Sequence, residues 1–394
     1  MSEEIQYNQS QTKEVEKISG PSLFEFLQNK KEAGMTSIAI FPHDNPDPDA
    51  MASGLAMKTI GEALGFVCNV YYGGDIVRTT NKAMKGVLGL PLIPVSDLKE
   101  DKEALEKHTN FVRRSVIAVV DTAYFGEQNC LSPKVFFPKE EFENKNPDIV
   151  IDHHGASIVD IDFVCNKSYG SCSTIMTKLM TDCEIIPDKI NATALYYGLM
   201  SDTDDMTRLD SIRETDEKVA AYLKDKIDFN YYLKIVTCKR PRTLLDLEGL
   251  AKYRFIRQEG DCIVSGVGII PPGHNGLISE IADNILHTYE QVERTVVIGI
   301  VDTGSSKYLS ASLRNSGEVL DSGTFMKEVF GKKCAGGRKG KAAAYKEMDE
   351  VWTRSIDHAV QKDAKSGDKN KHEVFDIIFQ SFSEEIFQKL KNSP

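Results

Sequence analysis

At 394 residues the chain exceeds what a single hydrophobic core usually supports, so two domains are the first expectation. Charged residues at 27% and hydrophobic residues at 41% exclude a disordered or membrane-embedded chain, and no apolar run is long enough to span a bilayer. The formal net charge of −11 disfavours nonspecific binding to long nucleic acid, yet leaves room for a small phosphorylated ligand wherever a cation or a local basic patch reverses the potential.

Residues 1–20, MSEEIQYNQSQTKEVEKISG, are polar and acidic without the layout of a secretion signal, so they read as a flexible leader on a cytoplasmic protein. PSLFEFLQNKKEAG then predicts a short helix closed by Gly34, and TSIAIF a strand stopped at Pro42. SGLAMKTIGEALG has the small and apolar spacing of a helix ending at Gly65. VCNVYYG, SVIAVVDTA and PDIVIDHHG repeat the apolar strand pattern, and NATALYYGLMSDTDDM supplies another helix. Apolar strands alternating with helices predict an α/β domain over 21–210 with a mainly parallel sheet, which places ligands beyond the carboxyl ends of its strands. The charged helical stretch 211–245 reads as a connector. Residues 246–394, with strands in DCIVSGVGII, RTVVIGIVD and KYLSASLRN, read as a smaller α/β domain with a helical tail. Eight cysteines without a CxxC pair read as reduced core residues.

The acidic residues fall on one predicted sheet edge. HDNPDPD (43–49) crowds one His and three Asp into a short loop after the first strand; carboxylates that close repel one another unless a cation neutralises them. Asp121 ends SVIAVVD, Asp152, His153 and His154 end DIVIDHH, and Asp202 ends GLMSD. Carboxylates with imidazole suit a divalent ion such as Mn²⁺, and bridging carboxylates allow an ion pair about 3.5–4 Å apart, which suits displacement at phosphorus. Taken singly, each motif has a plainer reading. Asp49 or Ser53 could cap the helix, DHHG could be a hydrogen-bonded turn, Asp121 and Asp202 could be caps, and GGRKGK a solvated basic turn.

In this order and spacing, HDNPDPD (43–49), VVDTA (119–123), DHHG (152–155) and GLMSDTD (198–204) resemble the motifs of the DHH phosphoesterase family. GGRKGKAAA (336–344) resembles the glycine-rich signature of the C-terminal domain that accompanies DHH domains in the nano-RNase (oligoribonuclease/pAp phosphatase), cyclic-dinucleotide phosphodiesterase and RecJ-like branches. The resemblance runs from about residue 21 to about residue 350. It implies a DHH catalytic domain followed by a substrate-binding domain, and two divalent cations, Mn²⁺ first with Mg²⁺ or Co²⁺ as alternatives. His43 and Asp47 would hold one ion, Asp49, His153 and Asp202 the other, with Asp121 between them and a bridging hydroxide as nucleophile. His154 would face the substrate phosphate and Asp152 would orient a histidine. Arg314, Gly336, Gly337, Arg338 and Lys339 would contact substrate, and Gly170, Ser171 and Ser173 lie where the family closes the phosphate site. Arg338 stands at the histidine position of the family's common GGGH form, and Ala335 at its first glycine, which bears on 3′-end selectivity.

The implied activity is hydrolysis of short oligonucleotides, dinucleotides such as pApA or pGpG, or pAp-type nucleotides, with no membrane partner and a homodimer as one option. A RecJ-like single-strand exonuclease is disfavoured by the acidic chain and its single Trp, since a long strand needs a basic groove with stacking aromatics. Inorganic pyrophosphatase or exopolyphosphatase relatives share the DHH half but carry a different C-terminal domain, so GGRKGK counts against them. A catalytically silent nucleotide-binding module should have lost some of the expected ligands, and none is lost here.

Overall fold

The computed structural model describes residues 22–392 except 128, 156–160, 210, 272, 305, 318–319, 350–351, 353, 355 and 358–369; the expected leader at 1–20 lies outside the described residues. The chain divides into two compact units, Met1–Ile76 with Thr80–Cys238, and Val77–Thr79 with Lys239–Pro394.

The first unit holds six parallel strands: β1 (Ser37–Pro42), β2 (Val67–Tyr72), β3 (Leu92–Pro94), β4 (Val116–Val120), β5 (Ile149–Asp152) and β6 (Phe163–Asn166), in the order β3-β2-β1-β4-β5-β6. Every residue of β1, β4 and β5 is buried, which is why these strands are apolar runs rather than alternating, with Ser37 and Asp152 as polar residues at their ends. Their side chains divide between two cores. Ile38 and Ile40 of β1 and Val116, Ala118 and Val120 of β4 pack with the helices Pro48–Ala63, Cys172–Asp182 and Lys189–Asp202. Ala39, Phe41, Ile117 and Val119 face the opposite core with Tyr71, Phe136 and Phe137. From β1 the chain turns to β2 on one side and later reaches β4 on the other, so the boundary between β1 and β4 is the topological switch point where α/β sheets open a ligand crevice.

The stretch 211–245, a connector by its charge, is divided in the structure. Helices Glu214–Lys224 and Phe229–Val236 belong to the first unit, where Val219, Leu223 and Ile235 are buried in its main core. The helix Arg242–Tyr253 belongs to the second unit and buries Leu244 and Ala251 there.

The second unit is a six-stranded mixed sheet of β7 (Ile256–Glu259), β8 (Cys262–Ile270), β9 (Arg294–Asp302), β10 (Lys307–Asn315), β11 (Ala335–Arg338) and β12 (Lys341–Glu347), ordered β11-β12-β10-β9-β8-β7. Only the β8–β9 pair is parallel, joined through the helix Gly276–Leu286. Helices Ser322–Phe330 and Asn370–Asn392 cover the opposite face through Phe325, Phe330, Phe375 and Phe379. The eight cysteines are free thiols, with Cys68, Cys130, Cys165, Cys172, Cys183 and Cys262 buried. Among the described residues no helix is long and apolar enough to cross a membrane.

Candidate metal centre

The loop that follows β1 separates its three aspartates by role. Asp44 is engaged by backbone: its carboxylate accepts the N–H groups of Leu131 (2.8 Å) and Ser132 (3.3 Å). Asn45, in the left-handed region at φ 55°, accepts the Asp75 N–H at 2.9 Å. Asp47 caps the helix Pro48–Ala63, with Oδ1 accepting the Ala50 N–H at 3.0 Å. The capping reading and the cluster reading are therefore compatible for Asp47. Asp49, 1% exposed, accepts the N–H groups of Cys172 and Ser173 at 2.7 Å each, the first two residues of the helix Cys172–Asp182. A carboxylate is favoured there by the free amides and the helix dipole.

Asp121 sits at the carboxyl end of β4 with φ 58°, a left-handed turn that Asp tolerates better than most residues. Its N–H donates to Ile151 O of the neighbouring strand at 2.8 Å, so the sheet itself fixes the turn. Asp121 Oδ2 lies 3.6 Å from His43 Nε2, and Oδ1 lies 3.4 Å from His153 Nε2. His153 Nε2 is also 3.9 Å from Asp49 Oδ2 and 3.3 Å from Asp202 Oδ2. Ligand-type atoms of His43, Asp47 and Asp121 lie within 4.8 Å of one another; so do those of Asp49, His153 and Asp202, and those of Asp121, His153 and His154. Both histidines facing Asp121 direct Nδ1 at a carbonyl, His43 at Asp44 O (2.9 Å) and His153 at Tyr169 O (3.1 Å). Donation from Nδ1–H fixes the tautomer that leaves Nε2 with a lone pair.

The electrostatics call for a cation. Burial pushes the Asp121 carboxyl well above its usual value, and Asp49, Asp47 and Asp202 push it further. Burial likewise drives Asp49 up to about 6, with Asp202 and Asp47 adding to the rise and His153 opposing it. Burial opposes a charge on His43, but the hydrogen bond and charge of Asp47 prevail and raise it to about 9. Asp121 Oδ1 is buried and accepts no hydrogen bond among the described residues. A buried carboxylate oxygen without a donor, beside imidazoles with fixed tautomers, is a donor set that fits divalent cations. Adjacent to it, burial works to raise the fully buried Asp152, but the hydrogen bond from His154 Nδ1 (2.8 Å) together with the charges of His154 and His153 lowers it.

Gly170, Ser171 and Ser173 lie behind Asp49 rather than at the surface: both serines are fully buried, and Ser171 caps the helix Cys172–Asp182. Gly198 lets the helix Lys189–Asp202 approach this region. A Cβ there would lie 2.4 Å from Ser173 Oγ, 3.1 Å from Asp49 Cα and 3.2 Å from Pro48 O. Gly198→Ala is therefore expected to destabilise the protein by about 1–3 kcal/mol through overpacking, read as a lower urea midpoint at unchanged slope.

The remaining sequence-derived candidates lie in the second unit. Gly336 and Gly337 are in β11, which pairs with β12 across a turn at Lys339 and Gly340. The Gly337 carbonyl approaches the helix Ser322–Phe330 so closely that a Cβ on Gly323 would stand 2.6 Å from it. Lys339 is exposed, and its carbonyl accepts Ser322 Oγ–H at 2.6 Å; the Arg338 side chain lies outside the described residues. Arg314 is 7% exposed, with its guanidinium bound to Asp283 and to Ser312 Oγ. Sequence reasoning did not single out Asp44, or the amides of Cys172 and Ser173, or Asp216, which is fully buried in the former connector. Asp216 looks in sequence like an ordinary acid in the first turn of a helix, and buried backbone amides have no signature.

Residues 37–200 match the DHH family, N-terminal domain. An uncharacterized protein of Methanocaldococcus jannaschii is 32% identical over 331 residues, 83% of this chain and 61% of that protein; the chain thus spans about three-fifths of the length of this relative. An exopolyphosphatase-related protein from Bacteroides fragilis has a similar fold, with a TM-score of 0.63 at 15% identity over 94% of this chain and 99% of that one. RecJ of Thermus thermophilus in complex with Mn²⁺ aligns at a TM-score of 0.48 and 14% identity, over 97% of this chain and 56% of that one. The match over residues 37–200, which contains every element from β1 to β6, identifies this part of the chain as a DHH family N-terminal domain.

Proposed function

We propose that the chain is a two-ion-dependent phosphoesterase acting on short oligonucleotides, on dinucleotides such as pApA or pGpG, or on pAp-type nucleotides. The observation that supports this best is the placement of Asp121, whose two carboxylate oxygens face His43 Nε2 and His153 Nε2 respectively. In this reading His43 and Asp47 hold one ion, Asp49, His153 and Asp202 the other, and Asp121 both. Mn²⁺ suits the mixed carboxylate and imidazole set, with Mg²⁺ or Co²⁺ as alternatives. When bound, such a pair supplies positive charge that stabilises an in-line displacement at phosphorus.

The chain's own residues complete the reaction. Asp152 fixes His154 through Nδ1, so the half-exposed ring presents Nε2 to a substrate phosphate, where it can donate a proton to the departing oxygen. The buried carboxylate of Asp152 stabilises the imidazolium needed for that donation. In the second unit, Arg338 and Lys339 are the contacts we assign to a substrate phosphate, with the glycines 336 and 337 keeping the strand free of side chains beside it. This part is tested by comparing a 5′-phosphorylated dinucleotide with a small chromogenic phosphodiester. Arg338→Ala is expected to raise KM roughly tenfold or more for the dinucleotide, the cost of one charge-assisted hydrogen bond, and to leave the chromogenic substrate unaffected. Equal effects on both would mean that the second unit does not read the substrate.

A further inference from the structure

We infer that Asp216, on the helix Glu214–Lys224 and beyond the matched residues 37–200, is a positioning residue for the Asp49 and His153 half of the metal centre. The inference rests on the two-ion reading above and deepens it. Asp216 is fully buried, and its oxygens take three donors: Gly170 N–H (2.9 Å) and Arg213 N–H (2.8 Å) on Oδ2, and Thr174 Oγ–H (2.6 Å) on Oδ1. The Gly170 N–H belongs to the same peptide group as the Tyr169 carbonyl, and that carbonyl accepts from His153 Nδ1 at 3.1 Å. A peptide group is planar, so the contact that fixes its N–H also fixes the direction of its C=O. Asp216 thereby sets the acceptor that orients the His153 ring.

The second line of contact runs through the following residues. Thr174 Oγ1, held by Asp216, also lies 3.2 Å from Ser171 Oγ, and Ser171 caps the helix whose first two amides grip Asp49 at 2.7 Å each. Gly170 is required for this approach, because a Cβ there would lie 2.8 Å from Thr203 Cγ2 and 3.2 Å from Asp216 Oδ2. One buried carboxylate thus pins both ends of the turn 170–174, and the turn orients two ligand-type side chains of a single group, Asp49 and His153. The two side chains that this turn orients share one candidate ligand group with Asp202, so the effect of losing Asp216 is expected on the ion that this group would hold.

The test is a Mn²⁺ binding isotherm, followed by the electron paramagnetic resonance of free Mn²⁺, on the wild-type chain, Asp216→Asn and Val219→Ala. Val219 is fully buried on the same helix and serves as a control for general destabilisation. The expected result is that Asp216→Asn weakens one of two Mn²⁺ equivalents by roughly tenfold or more and spares the other, while Val219→Ala lowers the unfolding temperature without changing either affinity. If Asp216→Asn does not fold, the near-isosteric Thr174→Val removes one of the same contacts and is expected to weaken the same equivalent. An unchanged isotherm in a folded Asp216→Asn, or equal weakening in Asp216→Asn and Val219→Ala, overturns the positioning role and leaves the two-ion reading intact. Absence of Mn²⁺ binding by the wild-type chain overturns the two-ion reading and this inference with it.

Discussion

Asp121→Asn is expected to lower kcat by roughly a thousandfold or more while the protein stays folded. Several kcal/mol of transition-state stabilisation are asked of the bound ions, and about 1.4 kcal/mol corresponds to a factor of ten. Asn is the informative substitution. It keeps the volume of the side chain and tolerates the left-handed backbone at φ 58°, which Ala would strain. It removes the charge that faces His43 and His153 together. In EDTA the same variant is expected to unfold at a higher temperature than wild type, because a buried carboxyl raised by burial and by four neighbouring acids has been relieved. Turnover in Mn²⁺ within tenfold of wild type would remove Asp121 from the centre.

A second large effect concerns stability against pH without metal. Asp49 is raised from 3.8 to about 6, and Asp121 is raised well above 3.8, so the folded chain binds protons that the unfolded chain releases near 3.8. His43 is raised from 6.5 to about 9, so it too holds a proton more tightly when folded. Both shifts have the same sign. The stability they contribute is present at low pH and is lost as pH rises, from about 4 through about 6 for Asp49 and from about 6.5 through about 9 for His43, with Asp121 acting in the same direction. The unfolding temperature in EDTA is therefore expected to fall between about pH 5 and about pH 8. Mn²⁺ replaces those protons, so it should raise the unfolding temperature more at the higher pH, by roughly 10 °C at a thousandfold excess over Kd. A Mn²⁺ effect that shrinks as pH rises would contradict this charge arrangement.

Much of the centre was legible because of one structural habit. β1, β4 and β5 are buried on both faces, so they stand out as apolar runs, and the residues just beyond them, His43, Asp121 and Asp152 to His154, necessarily share an edge. The edge strands were harder to read. β3 has three residues and β6 has four with alternating exposure, too short for a period to register. The charge of SIRETDEKVAAYLKD masked the apolar positions Val219 and Leu223, and so hid that this helix is part of the first unit's core. Asp216 was hidden for a related reason: an acid at the third position of a helix normally bonds the amide at its own start. Here it does so through Arg213 N–H and also reaches Gly170 and Thr174, distant in sequence. Asp44 shows the opposite error of counting, since it adds to the acidic density of HDNPDPD yet serves the backbone of Leu131 and Ser132. GGRKGK, with its three glycines, spans the end of β11, the turn at Lys339 and Gly340 and the start of β12.

The most direct measurement is hydrolysis, in Mn²⁺ and in EDTA, of a panel of pAp, pApA, a five-nucleotide RNA, a long single-stranded DNA, pyrophosphate and a short polyphosphate. The account predicts turnover in Mn²⁺ that is abolished by EDTA, confined to the short nucleotide substrates. Turnover that persists in EDTA, or a chain that binds Mn²⁺ and cleaves none of these nucleotides, would contradict it.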